Sequence, residues 1–156
     1  MNAEFYLLES GYEVIKTTKY DRTSLAVNRE NGDKFYFDVR RKQAPSFRKK
    51  TGSWEFGIDV PEYNKYFVSA ETGLPFIVFF ETGESTGIRY INRDEIGAVG
   101  RVWSDEFHFP NGIIFIKVED TSIWEIGIPF TNYRKIQKIK QEIAERAGKD
   151  VKNNNR

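Results

Sequence analysis

Phe35-Tyr36-Phe37-Asp38-Val39-Arg40-Arg41-Lys42 carries the alternation of a β-strand. Strand side chains repeat every second residue, so Phe35, Phe37 and Val39 share one face and Tyr36, Asp38 and Arg40 the other. The acid and the guanidinium therefore project the same way, about 7 Å apart along the strand. Downstream, Asp59-Val60-Pro61-Glu62 has the features of a helix start: a capping acid, a first-turn proline and an acid that complements the dipole. Tyr63, Tyr66, Phe67 and Ala70 follow at helical spacing, and Gly73 and Pro75 end the helix. Phe76-Ile77-Val78-Phe79-Phe80 is continuously apolar, the mark of a strand covered on both faces. Strand, loop, helix and buried strand in that order predict a right-handed parallel crossover, with 34–40 and 76–80 in one sheet. Ligands of such sheets gather at the carboxyl ends of the strands, where Asp38 and Arg40 lie.

Working outward toward the N-terminus, residues 3–9 read as a short helix with Phe5 and Leu8 facing inward, stopped by Ser10-Gly11. Strands follow at 12–16 and 25–28. The Asn31-Gly32 pair predicts a tight hairpin into 34–40, because both residues tolerate positive φ. Between Arg41 and Gly57 neither period is visible, and a loop is expected. It is basic: Arg40, Arg41, Lys42, Arg48, Lys49 and Lys50 precede the first acid, Glu55. Trp54 and Phe56 are expected to pack against helix 61–72.

Toward the C-terminus, 87–91 reads as a strand, and Asn92 caps a helical turn at 93–97. Trp103, Phe107 and Phe109 fall in a stretch without a clear period. Residues 113–118 and 122–128 predict a second hairpin about Glu119-Asp120-Thr121, and 132–147 an amphipathic helix lined by Ile136, Ile139 and Ile143. The expected fold class is α+β with an α/β core. A mixed central sheet would have a β-hairpin followed by a parallel crossover, helices on both faces, and a C-terminal hairpin and helix. One domain spans 1–147, with a polar tail at 148–156.

Composition narrows the chemistry. The 156 residues carry a net charge of +1, so contact with nucleic acid requires a local patch rather than a uniformly basic coat. With no cysteine there is no disulfide framework or thiolate zinc site, and the chain suits a reducing, cytoplasmic compartment. His108 is the only histidine, which excludes multi-histidine metal sites and argues against a serine–histidine triad. Chemistry here falls to carboxylates, lysine, arginine and tyrosine. No signal peptide or membrane-spanning run is apparent, and glycine-rich nucleotide motifs are absent.

An early helix with Glu4, the strand Gly11-Tyr12-Glu13-Val14, a hairpin ending in Asp38-Val39-Arg40, and the crossover resemble the PD-(D/E)XK nuclease superfamily, the restriction-endonuclease-like and Holliday-junction-resolvase-like fold. The stretch from Trp54 to Phe79 looks like the segment after the triplet in phage and bacterial members. The resemblance covers about residues 4–91 and implies metal-dependent DNA phosphodiester hydrolysis of endonuclease or resolvase type. It implies Asp38, Arg40, Asp21 and Glu4 as catalytic residues, with Asp38 and Asp21 holding Mg²⁺ or Mn²⁺. Arg41, Lys42, Arg48, Lys49 and Lys50 would contact DNA, and a homodimer is the assembly suggested by resolvase-like relatives.

This sequence departs from the family at two positions. Ser24 stands where the hairpin aspartate is expected, leaving Asp21 as substitute, and Arg40 replaces the lysine. Arginine holds its proton too tightly to act as a general base, and because this lysine migrates within the family, Lys42 and Lys65 are candidate replacements. Those departures keep a second expectation open: a nuclease-like fold without catalysis that binds DNA or a protein partner. The simplest expectation for Asp38 and Arg40 is an ion pair contributing about 0–1 kcal/mol, in a small α+β interaction protein.

Overall fold

The computed structural model describes residues 3–16, 23–41, 43–67, 72–82 and 87–125. Helix α1 (Ala3–Glu9) leads into β1 (Tyr12–Lys16), β2 (Ser24–Asn28) and β3 (Lys34–Arg40). Next come β4 (Ser46–Arg48), β5 (Ser53–Asp59), α2 (Val60–Lys65), β6 (Phe76–Phe80), β7 (Gly87–Asn92) and α3 (Arg93–Val99). The last described strands are β8 (Arg101–Asp105), β9 (Phe109–Lys117) and β10 (Ser122–Glu125).

Two sheets result. The first has the order β1-β2-β3-β6-β7-β10, and the second β4-β5-β9-β8. Within the first, β3 and β6 are parallel, with Asp38 opposite Val78 and Arg40 opposite Phe80. The other pairings in that sheet are antiparallel. The fold is thus α+β with a mixed central sheet, and the crossover expected from strand 34–40 to strand 76–80 is present.

Local chemistry explains the hairpin that feeds β3. Asn28 Oδ1 accepts from the backbone N–H of Glu30 and Asn31, at 2.9 and 3.2 Å. Gly32 completes the turn at φ +76°, where a side chain would be strained. All five residues of β6 are buried, because the first sheet is covered on both faces. On one side, Phe35, Phe37, Ile77 and Phe79 pack with Leu7 of α1 and with Trp124. On the other, Tyr36, Phe76, Val78 and Phe80 meet Phe56, Ile58, Ile114 and Ile116 of the second sheet, together with Tyr66 and Ile96. Phe56 stacks on Phe80 with ring centroids 4.2 Å apart.

Several expectations change. Helix α1 is rotated: Ala3 and Leu7 are buried, whereas Phe5 and Leu8 are 54% and 45% exposed. An i, i+4 stripe outcompetes the i, i+3 stripe because Tyr6 reaches Trp124 edge-on at 5.1 Å. The expected loop 41–57 contains the β4–β5 hairpin, with Phe47 opposite Trp54. Of the hairpin expected from 113–118 and 122–128, the described parts, β9 and β10, do not pair with each other, and 126–128 lie outside the described residues. Strand β9 lies between β5 and β8, while β10 pairs with β7 in the other sheet.

A 3-10 turn at Val118–Asp120 carries the chain between the sheets. Thr121 Oγ1 donates to the Val118 carbonyl at 2.6 Å, and Arg89 reaches the same carbonyl at 3.4 Å. Helices lie on both faces, as expected: α1 covers one, and short α2 and α3 join the second sheet on the other. Of the expected helix 61–72, the described residues show α2 to Lys65 and a 3-10 turn through Phe67, and residues 68–71 lie outside them. Asp59 precedes it without a side-chain cap. The expected helix 132–147 and the tail 148–156 lie outside the described residues. No helix among the described residues is long and apolar enough to cross a membrane.

Candidate functional site

Asp38 sits near the carboxyl end of β3 on the face it shares with Tyr36 and Arg40, as the alternation predicts. It is buried, and its carboxylate Oδ2 accepts a hydrogen bond from the Tyr66 hydroxyl at 2.8 Å. Burial pushes the Asp38 carboxyl above its usual range. The Tyr66 hydrogen bond and the Arg40 charge pull it back, while the Glu62 charge pushes it further up. Burial, and then the Asp38 charge, raise the Tyr66 hydroxyl well above the usual tyrosine range, so it remains a neutral donor.

Tyr66 is itself held in place. Its carbonyl accepts from Arg93 Nη1 at 3.0 Å, and its ring stacks on Phe76 at 4.5 Å. Asn92, whose Oδ1 accepts from Glu95 N at 2.7 Å, caps α3 and fixes the start of the helix that carries Arg93.

Arg40 does not form the expected ion pair with Asp38. Its Nη1 lies 3.5 Å from Glu62 Oε2, and its Nε donates to Gln43 Oε1 at 3.0 Å. Gln43 Nε2 in turn donates to the Gly57 carbonyl at 2.6 Å, tying the strand end to the second sheet. Lys65, one of the replacement lysines, lies on α2, and it lines a different cleft with Asp59, Glu62 and His108.

Glu4 joins Asp38. Both line a cleft of about 230 Å³ with Lys16, Ser24, Phe37 and Arg41. Glu4 Oε1 lies 3.2 Å from Lys16 Nζ and 3.6 Å from Arg41 Nη2. The helix is anchored there by the Ala3 N–H, which donates to Glu81 Oε1 at 2.9 Å just beyond β6. A second cleft of about 390 Å³ runs on from Asp38 past Arg40 and Arg41 to Gln43.

Lys16 is the residue that sequence reasoning missed at this site. The strand register is the signal that finds it. Lys16 pairs with Ser24 and Ser24 with Phe37, so all three meet at one sheet end. Tyr66 was visible in the sequence only as a helical core position.

The basic run is largely engaged. Arg48 Nε lies 3.0 Å from Glu55 Oε2, and Lys50 Nζ sits 4.2 Å over the Trp103 ring. With Arg40 on Glu62 and Arg41 on Glu4, the expected cation cluster is divided among several partners. Lys49 is exposed at the hairpin turn. Phe56 is buried as expected, but Trp54 is exposed beside Phe47, with centroids 5.5 Å apart. Asp21 and Lys42 lie outside the described residues.

Magnesium takes oxygen ligands, commonly one or two carboxylates completed by water and substrate phosphate. Asp38 and Glu4 both line one cleft at the sheet end, which is compatible with that need, although the described residues contain no cluster of three or more acids or histidines that could enclose an ion. In comparisons with known proteins, no family model, no curated protein and no solved structure matches the chain.

Proposed function

We propose that this protein is a PD-(D/E)XK-like, metal-dependent DNA phosphodiester hydrolase of endonuclease or resolvase type, with Asp38 as its central acid. The supporting observation is the parallel pairing of β3 with β6, which sets Asp38 at the carboxyl end of the sheet in a cleft shared with Glu4. The order of elements is an argument from fold analogy, and the cleft residues supply the chemistry.

In this proposal Asp38, together with Asp21, would hold Mg²⁺ or Mn²⁺. When bound, the ion would supply charge neutralisation at the phosphodiester and an activated attacking water. Glu4, paired with Lys16 and Arg41, orients a water in the cleft. Lys16 and Arg41 also face the position of an incoming phosphate and offset its charge. Arg40, held by Glu62 and Gln43, braces the strand end rather than moving a proton.

The test is incubation with supercoiled, branched and single-stranded DNA in Mg²⁺ or Mn²⁺, alongside Asp38→Ala. Cleavage by the wild type, reduced to background in a folded Asp38→Ala variant, is the expected result. Cleavage unaffected by that substitution, or no cleavage of any substrate, would sink the proposal.

A second reading has its own observation. Asp38 is buried against a neutral tyrosine, and Arg40 is spent on Glu62. Those contacts suit a packed polar cluster in a fold that binds DNA or a protein partner without cleaving. Salt-sensitive DNA binding without cleavage, weakened by Arg41→Ala with Lys49→Ala, is its expected signature.

A further inference from the structure

Phe56 and Ile58 of β5 point into the core between the sheets, so Glu55 and Gly57 point to the outer face of the second sheet. Register carries Arg48, Lys117, Phe115, Arg101 and Trp103 onto the same face. Glu55 is buried at its centre, paired with Arg101 and with Arg48, so two guanidiniums are held in fixed places over the sheet. The Arg48 guanidinium carbon lies over Phe115, 3.6 Å from the ring centroid. Lys50 lies over Trp103 in the same way, and Trp103 is nevertheless 42% exposed. A cation over a ring centre means that a face of the ring, not its edge, meets the charge, and the exposure of Trp103 leaves its indole open to a ligand. Lys50, a long and flexible side chain, occupies the position of a stacked base.

We propose that this open sheet face binds single-stranded nucleic acid, with a base stacked on Trp103 and phosphates at Arg101, Lys50 and Lys117. Charge complementarity identifies the occupant: the four cations on the face, Arg48, Lys50, Arg101 and Lys117, outnumber its three acids, which are the buried Glu55, Asp59 at the end of β5, and Glu119, 3.8 Å from Lys117. A polyanion with flat apolar faces uses both the cations and the outward indole, as single strands do on stacking platforms. A duplex keeps its bases stacked on one another, and an acidic peptide has no use for the ring face. The inference rests on the reading of the chain as a nucleic-acid-processing protein for its setting, but it does not require cleavage at Asp38.

The test uses fluorescently labelled pyrimidine oligonucleotides, as DNA, as RNA and as a DNA duplex, titrated with the full chain in a metal chelator. Single strands should bind more tightly than duplex. Trp103→Ala should weaken single-strand binding by roughly 5- to 150-fold, and Trp103→Phe should retain most of it. Arg101→Ala should reduce the slope of log affinity against log salt by about 0.7, one phosphate contact. A preference for either sugar supports the surface and names its source. The proposal is overturned by unchanged affinity in Trp103→Ala, by equal binding of duplex, by full competition from a polyglutamate peptide, or by loss of binding on Trp54→Ala alone. Because no cleavage is read, failure here leaves the Asp38 proposal standing, and failure of Asp38 cleavage leaves this one standing.

Discussion

Asp38 and Glu55 are both buried carboxylates on strands that leave the same stretch of chain, and their surroundings are opposite. Glu55 is enclosed by Arg48 and Arg101, with the Thr51 and Ser53 hydroxyls each 3.3 Å from Oε1. Asp38 has a neutral tyrosine as its hydrogen-bond partner, while the arginine two residues along its own strand pairs with Glu62. Glu55 is compensated in place and lines none of the clefts at the end of the first sheet. Asp38 is under-compensated and lies at the junction of two clefts. Structural ion pairs look like Glu55, whereas a burial-perturbed acid in a cleft is the more common form of a functional group.

The largest expected effect tests the Glu55 half of that contrast. Glu55→Gln preserves shape but leaves two arginines without their counter-charge, and removing one partner of a buried pair costs about 3–5 kcal/mol. Both arginines are partly exposed and can rehydrate, so a loss of about 3 kcal/mol is expected, read as a lower urea midpoint at unchanged slope. A loss as small as that of an exposed substitution would make Glu55 and Asp38 equivalent and remove the distinction.

Tyr66→Phe sharpens the Asp38 half. It deletes the 2.8 Å hydrogen bond and leaves the ring stacked on Phe76. A hydrogen bond to a charged group is worth about 1.5–3 kcal/mol, and the partly compensated Asp38 places this one near about 2 kcal/mol. Without that donor the Asp38 carboxyl should protonate at a higher pH than in the wild type, measurable by NMR titration. Protonation at an unchanged pH would mean that Tyr66 only packs against the acid and does not hold it.

Much of the first sheet was legible because its strands announce themselves locally. The alternation of 34–40, the Asn31-Gly32 turn and the apolar run 76–80 each depend on a few neighbouring residues, and together they place Asp38 correctly. The second sheet was not legible, because its pairings are non-local. Strand β5 finds β9 about 60 residues away, and β9 was read as half of a hairpin with β10 because only three residues separate an apolar run from the next. Phe5 and Leu8 misled because a seven-residue helix gives two competing stripes, and only the position of Trp124 decides between them. At the site, Asp38 and Glu4 were visible as residue types in the right elements. The partner of Arg40 was not, since Glu62 lies beyond an unrecognised hairpin.

The smallest expected effect has the most diagnostic sign. A folded-state pKa raised above its unfolded value means that the folded protein holds the Asp38 proton more tightly than the unfolded chain does. The associated stability is fully present below the unfolded value, about 3.9, and is lost as pH rises through the raised folded value. Above that range the buried charge is a cost. Asp38→Asn removes the charge and keeps an oxygen that can accept from Tyr66. In a chelator, the variant should therefore be more stable than the wild type at neutral pH. The gap should close as pH falls through the raised pKa. Thermal melts of both proteins from about pH 3 to about pH 8 give this difference directly, because groups that titrate alike in both cancel. If the wild type were instead the more stable protein at neutral pH, with its advantage vanishing in acid, Asp38 would be a charge held by its neighbours as Glu55 is. Its place in the cleft would then have no electrostatic signature to support a catalytic role.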